Sequence, residues 1–364
     1  MKKFVALFMA LAMLLSCCVF ATAEDTMTVA MITDYGDITD QSFNQTTYEA
    51  CKEFCEENGI DFTYFKPAGD SDAERIAMIE KAIDENYNVI VMPGYAFAGA
   101  IKATAADYDW VTFIALDVSA GDLGDDYVVP ANLYCAVYQE ELCGYMAGYA
   151  AVKLGYNHLG FLGGMAVPAV VRYGYGFVQG ADAAAAADGK TDVKVEFVYG
   201  NQFYGDADIT AYMDNWYQTL GVEVVFACGG GIFTSAAEAA AKVGGKVIGV
   251  DTDQSFVIDG GYGEGMTVTS AMKGLAATVK TLLTACKNGE FEGGKIDTLG
   301  LVSENPDENY VQIPTTTQFA DSFTYEDYSA MVASMFAGEI VVSNDTENAP
   351  AVSTIAVEYY GNIK

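Results

Sequence analysis

From residue 27 onward the chain alternates short apolar runs with stretches of helical periodicity, and this alternation limits the fold more than any other feature. Residues 27–33, 89–92 and 111–116 are apolar runs of strand length. Each ends in a polar residue or a tight turn, at Asp34, Pro93-Gly94 and Asp117. Helical patterns lie between them. Phe43, Thr47, Ala50, Cys51 and Phe54 share one helical face, which stops at Asn58-Gly59. Asp70-Ser71 starts another helix, with Ile76, Ile79 and Ile83 on its apolar face and Glu74 placed for a capping box. Residues 98–106 form a third. Strand, helix, strand, helix predicts a parallel sheet with right-handed crossovers.

Residues 140–154, containing GYMAGYAAVKL, read as a glycine-tolerant helix at the entry to a second unit. The pattern then restarts, with strands at 159–162, 193–199, 222–227 and 246–250 and helices at 170–187, 209–220 and 235–243. A strand at 267–270 leads to Lys273 and a helix reaching Cys286. The tail carries a helix at 325–336 and a last strand at 353–359. Two α/β lobes therefore follow each other. Parallel strands share one direction, so the polar, aromatic and glycine residues just after them gather at one edge of each lobe. Two such edges facing each other would make an interdomain cleft suited to a small ligand.

The stretch DYGDITDQSFNQ, residues 34–45, is the first strand-to-helix loop. Asp40 suits the helix N-cap. Asp34, Phe43 and Asn44 need a further reason. Asp34 and Asp117 each end a buried strand, where a carboxylate is costly without partners.

Residues 1–23 read as an export leader. Lys2 and Lys3 precede an apolar run, and Ala21-Thr22-Ala23 is a small-residue cleavage site before Glu24. The alternative is a lipoprotein leader, since Leu14-Leu15-Ser16-Cys17 resembles a lipobox and would be lipidated at Cys17. Either places the protein outside the cytoplasmic membrane. No later run reaches the ~18 apolar residues a membrane span needs. The formal net charge is −32, and losing Lys2 and Lys3 with the leader makes it −34. So acidic a chain repels nucleic acid and anionic lipid. Of the eight cysteines two lie in the leader, no C-x-x-C pair occurs, and His158 is the single histidine, which argues against a zinc site. The remaining cysteines read as small buried apolar residues rather than disulfides.

Asp34, Gly36, Ile38, Asp40, Ser42, Phe43 and Asn44 together resemble the motif of the BMP (basic membrane protein) family of ABC-transporter substrate-binding proteins. GFLGGMAVPAVVRYGYGFVQGA at 160–181, CGGG at 228–231, GVDTDQ at 249–254 and TSAMK at 269–273 continue the resemblance in order. It implies a type I periplasmic-binding-protein fold, two doubly wound parallel-sheet lobes joined by three crossovers around a cleft. The implied first lobe is 24–133 plus about 266–292, and the second is 134–265 plus about 293–364. Many members bind purine nucleosides. Carried onto this chain, Phe43 and Phe203 would hold the base from opposite lobes. Asp117 and Asn44 would address its edge, and Asp34 would sit beside them. Asp251 and Lys273 would address the ribose, and Gly230 and Gly231 would bring backbone N–H groups close. Ile232-Phe233 depart from the small residues usual after the glycine turn. Arg172 reads as an ion-pair partner rather than a ligand contact.

The expected function is capture of a nucleoside, chiefly a purine one, and delivery to the permease subunits of an ABC importer. The expected protein is monomeric, needs no cofactor or metal, and meets a membrane only through a lipid anchor on Cys17. No G-x-S-x-G, H-E-x-x-H or P-loop motif suggests an enzyme. Three other readings remain: a receptor of the same fold for a sugar or other small polar solute, a sensory binding module, and a nucleoside-cleaving enzyme with metal on Asp34, Asp37 and Asp40.

Overall fold

The computed structural model describes residues 26–124 and 126–363. The expected leader, its cleavage site and Cys17 lie outside the described residues.

In chain order the elements are β1 (Thr28–Ile32), α1 (Phe43–Asn58), β2 (Asp61–Phe65), α2 (Asp72–Asp84), β3 (Val89–Pro93), α3 (Ala98–Thr104), β4 (Thr112–Leu116), α4 (Ala120–Leu123) and β5 (Leu133–Tyr138). There follow α5 (Glu140–Lys153), β6 (His158–Gly163), α6 (Pro168–Asp188), β7 (Lys194–Tyr199), α7 (Ala207–Asn215), β8 (Val224–Cys228), α8 (Phe233–Ala241), β9 (Lys246–Asp251), α9 (Ser255–Tyr262) and β10 (Thr267–Lys273). The chain ends with α10 (Leu275–Asn288), β11 (Lys295–Leu299), β12 (Val311–Gln312), α11 (Tyr325–Phe336) and β13 (Ala356–Asn362).

Two sheets result. The first runs β11-β5-β4-β3-β1-β2 and is parallel throughout. The second runs β12-β10-β9-β8-β6-β7-β13, with only β12 antiparallel. Each order reverses once, between β1 and β3 and between β6 and β8. At such a reversal the two flanking loops part and leave a crevice beyond the strand ends. Residues 33–36 and 94–95 flank the first crevice, and 164–167 and 229–231 the second.

The chain passes between the sheets three times, after β5, after β10 and after β11. This corrects the expected lobe boundaries. Strand β5 (Leu133–Tyr138) belongs to the first sheet, whereas residues 134–138 were expected in the second lobe. Thr267–Lys273 belongs to the second sheet, whereas α10 directly after it packs on α1 of the first lobe. Lys295–Leu299 returns to the edge of the first sheet. Strand period and apolarity say that a segment is a strand. Neither says which sheet has the vacant edge, so crossings are invisible to periodicity.

Helices α5 and α6 pack closely through four glycines. A Cβ on Gly144 or Gly148 would lie 2.2 or 2.1 Å from the Tyr173 or Phe177 carbonyl oxygen. One on Gly176 or Gly180 would lie 2.1 or 2.0 Å from the Glu141 or Tyr145 carbonyl oxygen. The glycines are spaced four apart on both helices and face each other reciprocally. The backbones touch, and this holds the first helix after the crossover against the second lobe.

The second sheet gains an outer strand, β13, beside β7. Asp182 of α6 accepts the backbone N–H groups of Ser353, Thr354 and Ile355. Tyr360 donates to Glu196 at 2.6 Å, and Glu196 also pairs with His158 at 2.8 Å. His158 therefore sits at a strand start as part of this edge. Cys51, Cys55, Cys135, Cys143 and Cys228 are free and buried, and Cys286 is free and half-buried.

Candidate ligand-binding cleft

The carboxyl edges of both sheets meet at a cavity of about 490 Å³, within the range usual for small-molecule sites. All nine residues expected at the site line it: Asp34, Phe43, Asn44, Asp117, Phe203, Gly230, Gly231, Asp251 and Lys273. The expected acids and the lysine all lie at or just beyond strand ends. Asp34 follows β1, Asp117 follows β4, Asp251 ends β9 and Lys273 ends β10.

Asp34 is held by the loop it starts. Its Oδ1 accepts the N–H groups of Tyr35 at 2.6 Å and Gly36 at 2.7 Å. A Cβ at Gly36 would stand 2.4 Å from Asn44 Nδ2, so any side chain there would have to displace the Asn44 amide. Burial raises the Asp34 pKa despite these donors. Asp40 caps α1 from outside the helix. Its carboxylate accepts the N–H groups of Ser42, Asn44 and Gln45 at 2.9–3.0 Å and Asn44 Nδ2 at 3.2 Å. Burial nevertheless pushes its pKa up to about 6.

Lys273 is the centre of charge. Its Nζ bonds Asp117 Oδ2 and lies 3.5 Å from Glu140 Oε1 and 3.6 Å from Asp251 Oδ1. It also stands 4.7 Å from the centre of the Phe43 ring, within cation–π reach. Burial opposes the charge on Lys273, but Asp117, Asp251 and Glu140 outweigh it and hold the pKa above the usual lysine range. Burial raises the Asp251 and Glu140 pKa values, Lys273 opposing in both and Arg172 also in Glu140. Lys273 to Asp117 is thus an ion pair between the two sheets. Ser42 Oγ to Asp251 at 2.7 Å and Gln254 Nε2 to the Gln41 carbonyl at 3.0 Å also bridge the lobes.

Asp117 and Asp251 share a backbone feature. Their φ values are +60° and +64°, a region costing a non-glycine residue about 1–2 kcal/mol. This turns each carboxylate off its strand and into the cavity. No sequence signal announces it.

Phe203 rests on small residues. A Cβ at Gly164 or Gly229 would lie 2.3 or 2.8 Å from its ring. The Gly231 N–H donates to the Phe203 carbonyl at 2.9 Å. That corrects the role expected of Gly231: its N–H is committed to seating Phe203 rather than turned to a ligand. Phe43 both packs on the core and lines the cavity. The first-lobe ring that Phe203 meets is Tyr35, with centroids 6.4 Å apart.

Sequence reasoning missed Tyr35, Glu140 and Gln254. Tyr35 stands at an unassigned position of the loop motif. Glu140 and Gln254 are fully buried. Glu140 takes Arg172 Nε at 2.7 Å, the ion pair expected of Arg172, which also lines the cavity. An acid on an apolar helix beside a lobe crossing was the available signal.

Glu141, 3% exposed, stands beside Glu140, and its Oε2 lacks a hydrogen-bond partner among the described residues. Burial pushes its pKa up to about 7 from the ordinary 4.5. The folded chain then holds this proton more tightly than the unfolded chain. The stability it contributes is complete below about pH 4.5 and is lost as pH rises through about 7. Glu141→Gln is expected to stabilise the protein by up to about 3 kcal/mol at pH 8 and by little near pH 5. Thermal melts at both pH values measure this, and an unchanged pH slope would assign the titration elsewhere.

Two such lobes around a lined cleft define a type I periplasmic-binding-protein fold. Residues 27–345 match the model of the Bmp family, ABC transporter substrate-binding proteins of the PnrA-like kind, and the chain belongs to that family. The ABC transporter nucleoside-binding protein BmpA of Lactococcus lactis is 29% identical over 289 residues, covering 75% of this chain and 78% of that protein. A CD4+ T-cell-stimulating antigen of Listeria monocytogenes is 28% identical over 284 residues, covering 73% and 75%. In fold, a solute-binding protein of an ABC transporter system from Aeropyrum pernix superposes with a TM-score of 0.67 at 22% identity, covering 88% of each chain. The family consists of substrate-binding proteins rather than enzymes, and such proteins of ABC importers are extracytoplasmic. Among the described residues no helix is long and apolar enough to cross a membrane.

Proposed function

We propose that the protein captures a nucleoside, with a purine base favoured, and hands it to the permease subunits of an ABC importer. The observation that carries this reading is the cleft itself. Phe43 and Phe203 enter it from opposite lobes, and the Lys273–Asp251–Asp117 cluster lies on the Phe43 side. Flat apolar faces suit a base, and a base stacked on an aromatic side chain is worth roughly 1–3 kcal/mol per partner. Carboxylates and an ammonium suit the paired hydroxyls of a ribose, which both donate and accept. Phosphate esters fit poorly, because Asp34, Asp117, Asp251 and Glu140 outnumber Lys273 and Arg172. The protein acts as a monomer, with a lipid on Cys17 as its membrane tether if the leader is of the lipoprotein kind.

The test is thermal unfolding of residues 24–364 with inosine, guanosine, adenosine, their free bases and simple sugars. A ligand at 100 times its dissociation constant adds ~2.7 kcal/mol to the folded state. A nucleoside shift that falls about tenfold in affinity with Phe203→Ala is expected. Shifts from sugars alone would retire the nucleoside reading in favour of a sugar receptor. Release of ribose from inosine would make the protein an enzyme.

A further inference from the structure

Tyr35 directly follows Asp34, whose carboxylate accepts the Tyr35 N–H at 2.6 Å. A buried group thus fixes the backbone that presents this ring. The ring lines the cleft and meets Phe203 at 6.4 Å between centroids, with the planes 33° apart. Its hydroxyl donates to Met165 Sδ at 3.4 Å. Tyr95, just after β3, brings its own hydroxyl to the same sulfur at 3.7 Å. The two hydroxyls thus meet at one acceptor, each directing its single hydrogen there. Tyr35 and Tyr95 flank the crevice of the first sheet, whereas Met165 follows β6 at the crevice of the second.

We infer that Tyr35 is a third aromatic wall of the ligand slot, held against the second lobe by a clasp of two phenols on the Met165 thioether. A flat ring bracketed by two others needs about 7 Å between their centroids, two layers of about 3.5 Å. At 6.4 Å, Tyr35 and Phe203 touch each other instead. Tyr35 therefore closes the side of the slot and steadies Phe203, rather than adding a stacking layer. A thioether is a weak acceptor, so the clasp biases the lobes toward closure without locking them. The wall is complete only in the closed form. A ligand touching Tyr35 thus favours that form by its differential contact.

The wall rests on the nucleoside reading for the molecule that touches it; the clasp rests on the geometry alone. Tyr35→Ala, Tyr35→Phe, Met165→Leu and the Phe/Leu double variant test both. Small-angle X-ray scattering of the ligand-free proteins reads lobe separation, and calorimetric titration with inosine reads affinity. A larger radius of gyration is expected for Tyr35→Ala and Met165→Leu. Tyr35→Phe should open the lobes less than Met165→Leu, since it leaves the Tyr95 contact in place, and the double variant should match Met165→Leu, which already removes both phenol contacts. Inosine affinity should fall roughly tenfold in Tyr35→Ala and a few-fold in the other two single variants. Unchanged ligand-free scattering in Tyr35→Ala and Met165→Leu would overturn the clasp. Inosine binding within about twofold of wild type in Tyr35→Ala would overturn the wall. A wild type that binds no nucleoside at all would count against the proposed function, and the scattering would still decide the inference.

Discussion

Lys273→Met is expected to destabilise the protein by about 3–5 kcal/mol at neutral pH. Methionine fills much the same volume, so the loss is electrostatic. Asp117, Asp251 and Glu140 converge on the ammonium from three directions, and Lys273 itself is only 3% exposed in its side chain. Without it, Glu140 keeps Arg172, but Asp117 and Asp251 lose their buried cation. Burial already raises the Asp251 and Glu140 pKa values, and removing Lys273 raises them further. A carboxyl group with a raised folded-state pKa costs stability as pH rises through that pKa. The deficit of the variant should therefore shrink on acidification, as these groups take up protons. Denaturant unfolding of wild type and variant across pH 5 to 8 measures it. A deficit below about 1 kcal/mol throughout would mean that the carboxyl groups share protons and do not need the lysine.

Gly180→Ala should cost roughly 3 kcal/mol or more, or prevent soluble expression. The added methyl would meet the Tyr145 carbonyl oxygen at 2.0 Å, whereas a carbon and an oxygen rest at about 3.3–3.6 Å. The two helices must then separate by more than 1 Å along a contact that holds four glycines. Gly260→Ala is the matched control. It lies inside α9 with nothing within 4 Å of its would-be Cβ and no positive φ, so it should gain about 0.5–1 kcal/mol. Melting temperatures of the pair decide the matter. Similar small shifts in both would show that α5 and α6 can slide apart cheaply.

These glycines show where reading a sequence stops. GYMAG on α5 reads as a helix that tolerates glycine. In the structure the same residues are required, because backbone from another helix occupies the space of their missing side chains. Local pattern cannot show this, since the clash belongs to a segment some thirty residues away.

Elements with their own period were legible. Helix α11 spans 325–336, as its periodicity predicts, and β7 lies within one residue of its apolar run. Segments that owe their state to neighbours were not. Asp61–Phe65 and the polar Lys295–Leu299 are strands because edges of the first sheet are free beside β1 and β5. The fully buried Leu133–Tyr138 is an apolar run of strand length behind Pro130 and Asn132, yet nothing local ties it to the edge of β4 in the first sheet. The site divides in the same way. Every residue named for it lines one cavity, because each lies at a strand end or in the loop or helix start beyond one, and parallel strands end together.

What the chain order determined alone is the two-lobed α/β architecture and the set of residues at the strand ends. Those follow from periodicity and from the shared direction of parallel strands, which act over a few residues. The tertiary structure alone decided which lobe each crossing serves, the left-handed turn of Asp117 and Asp251, the pairing of Lys273 with Asp117, and the meeting of Tyr35 with Phe203 and Met165. These depend on which surfaces are left vacant once distant segments have packed, and on the cost of leaving a buried charge without a partner.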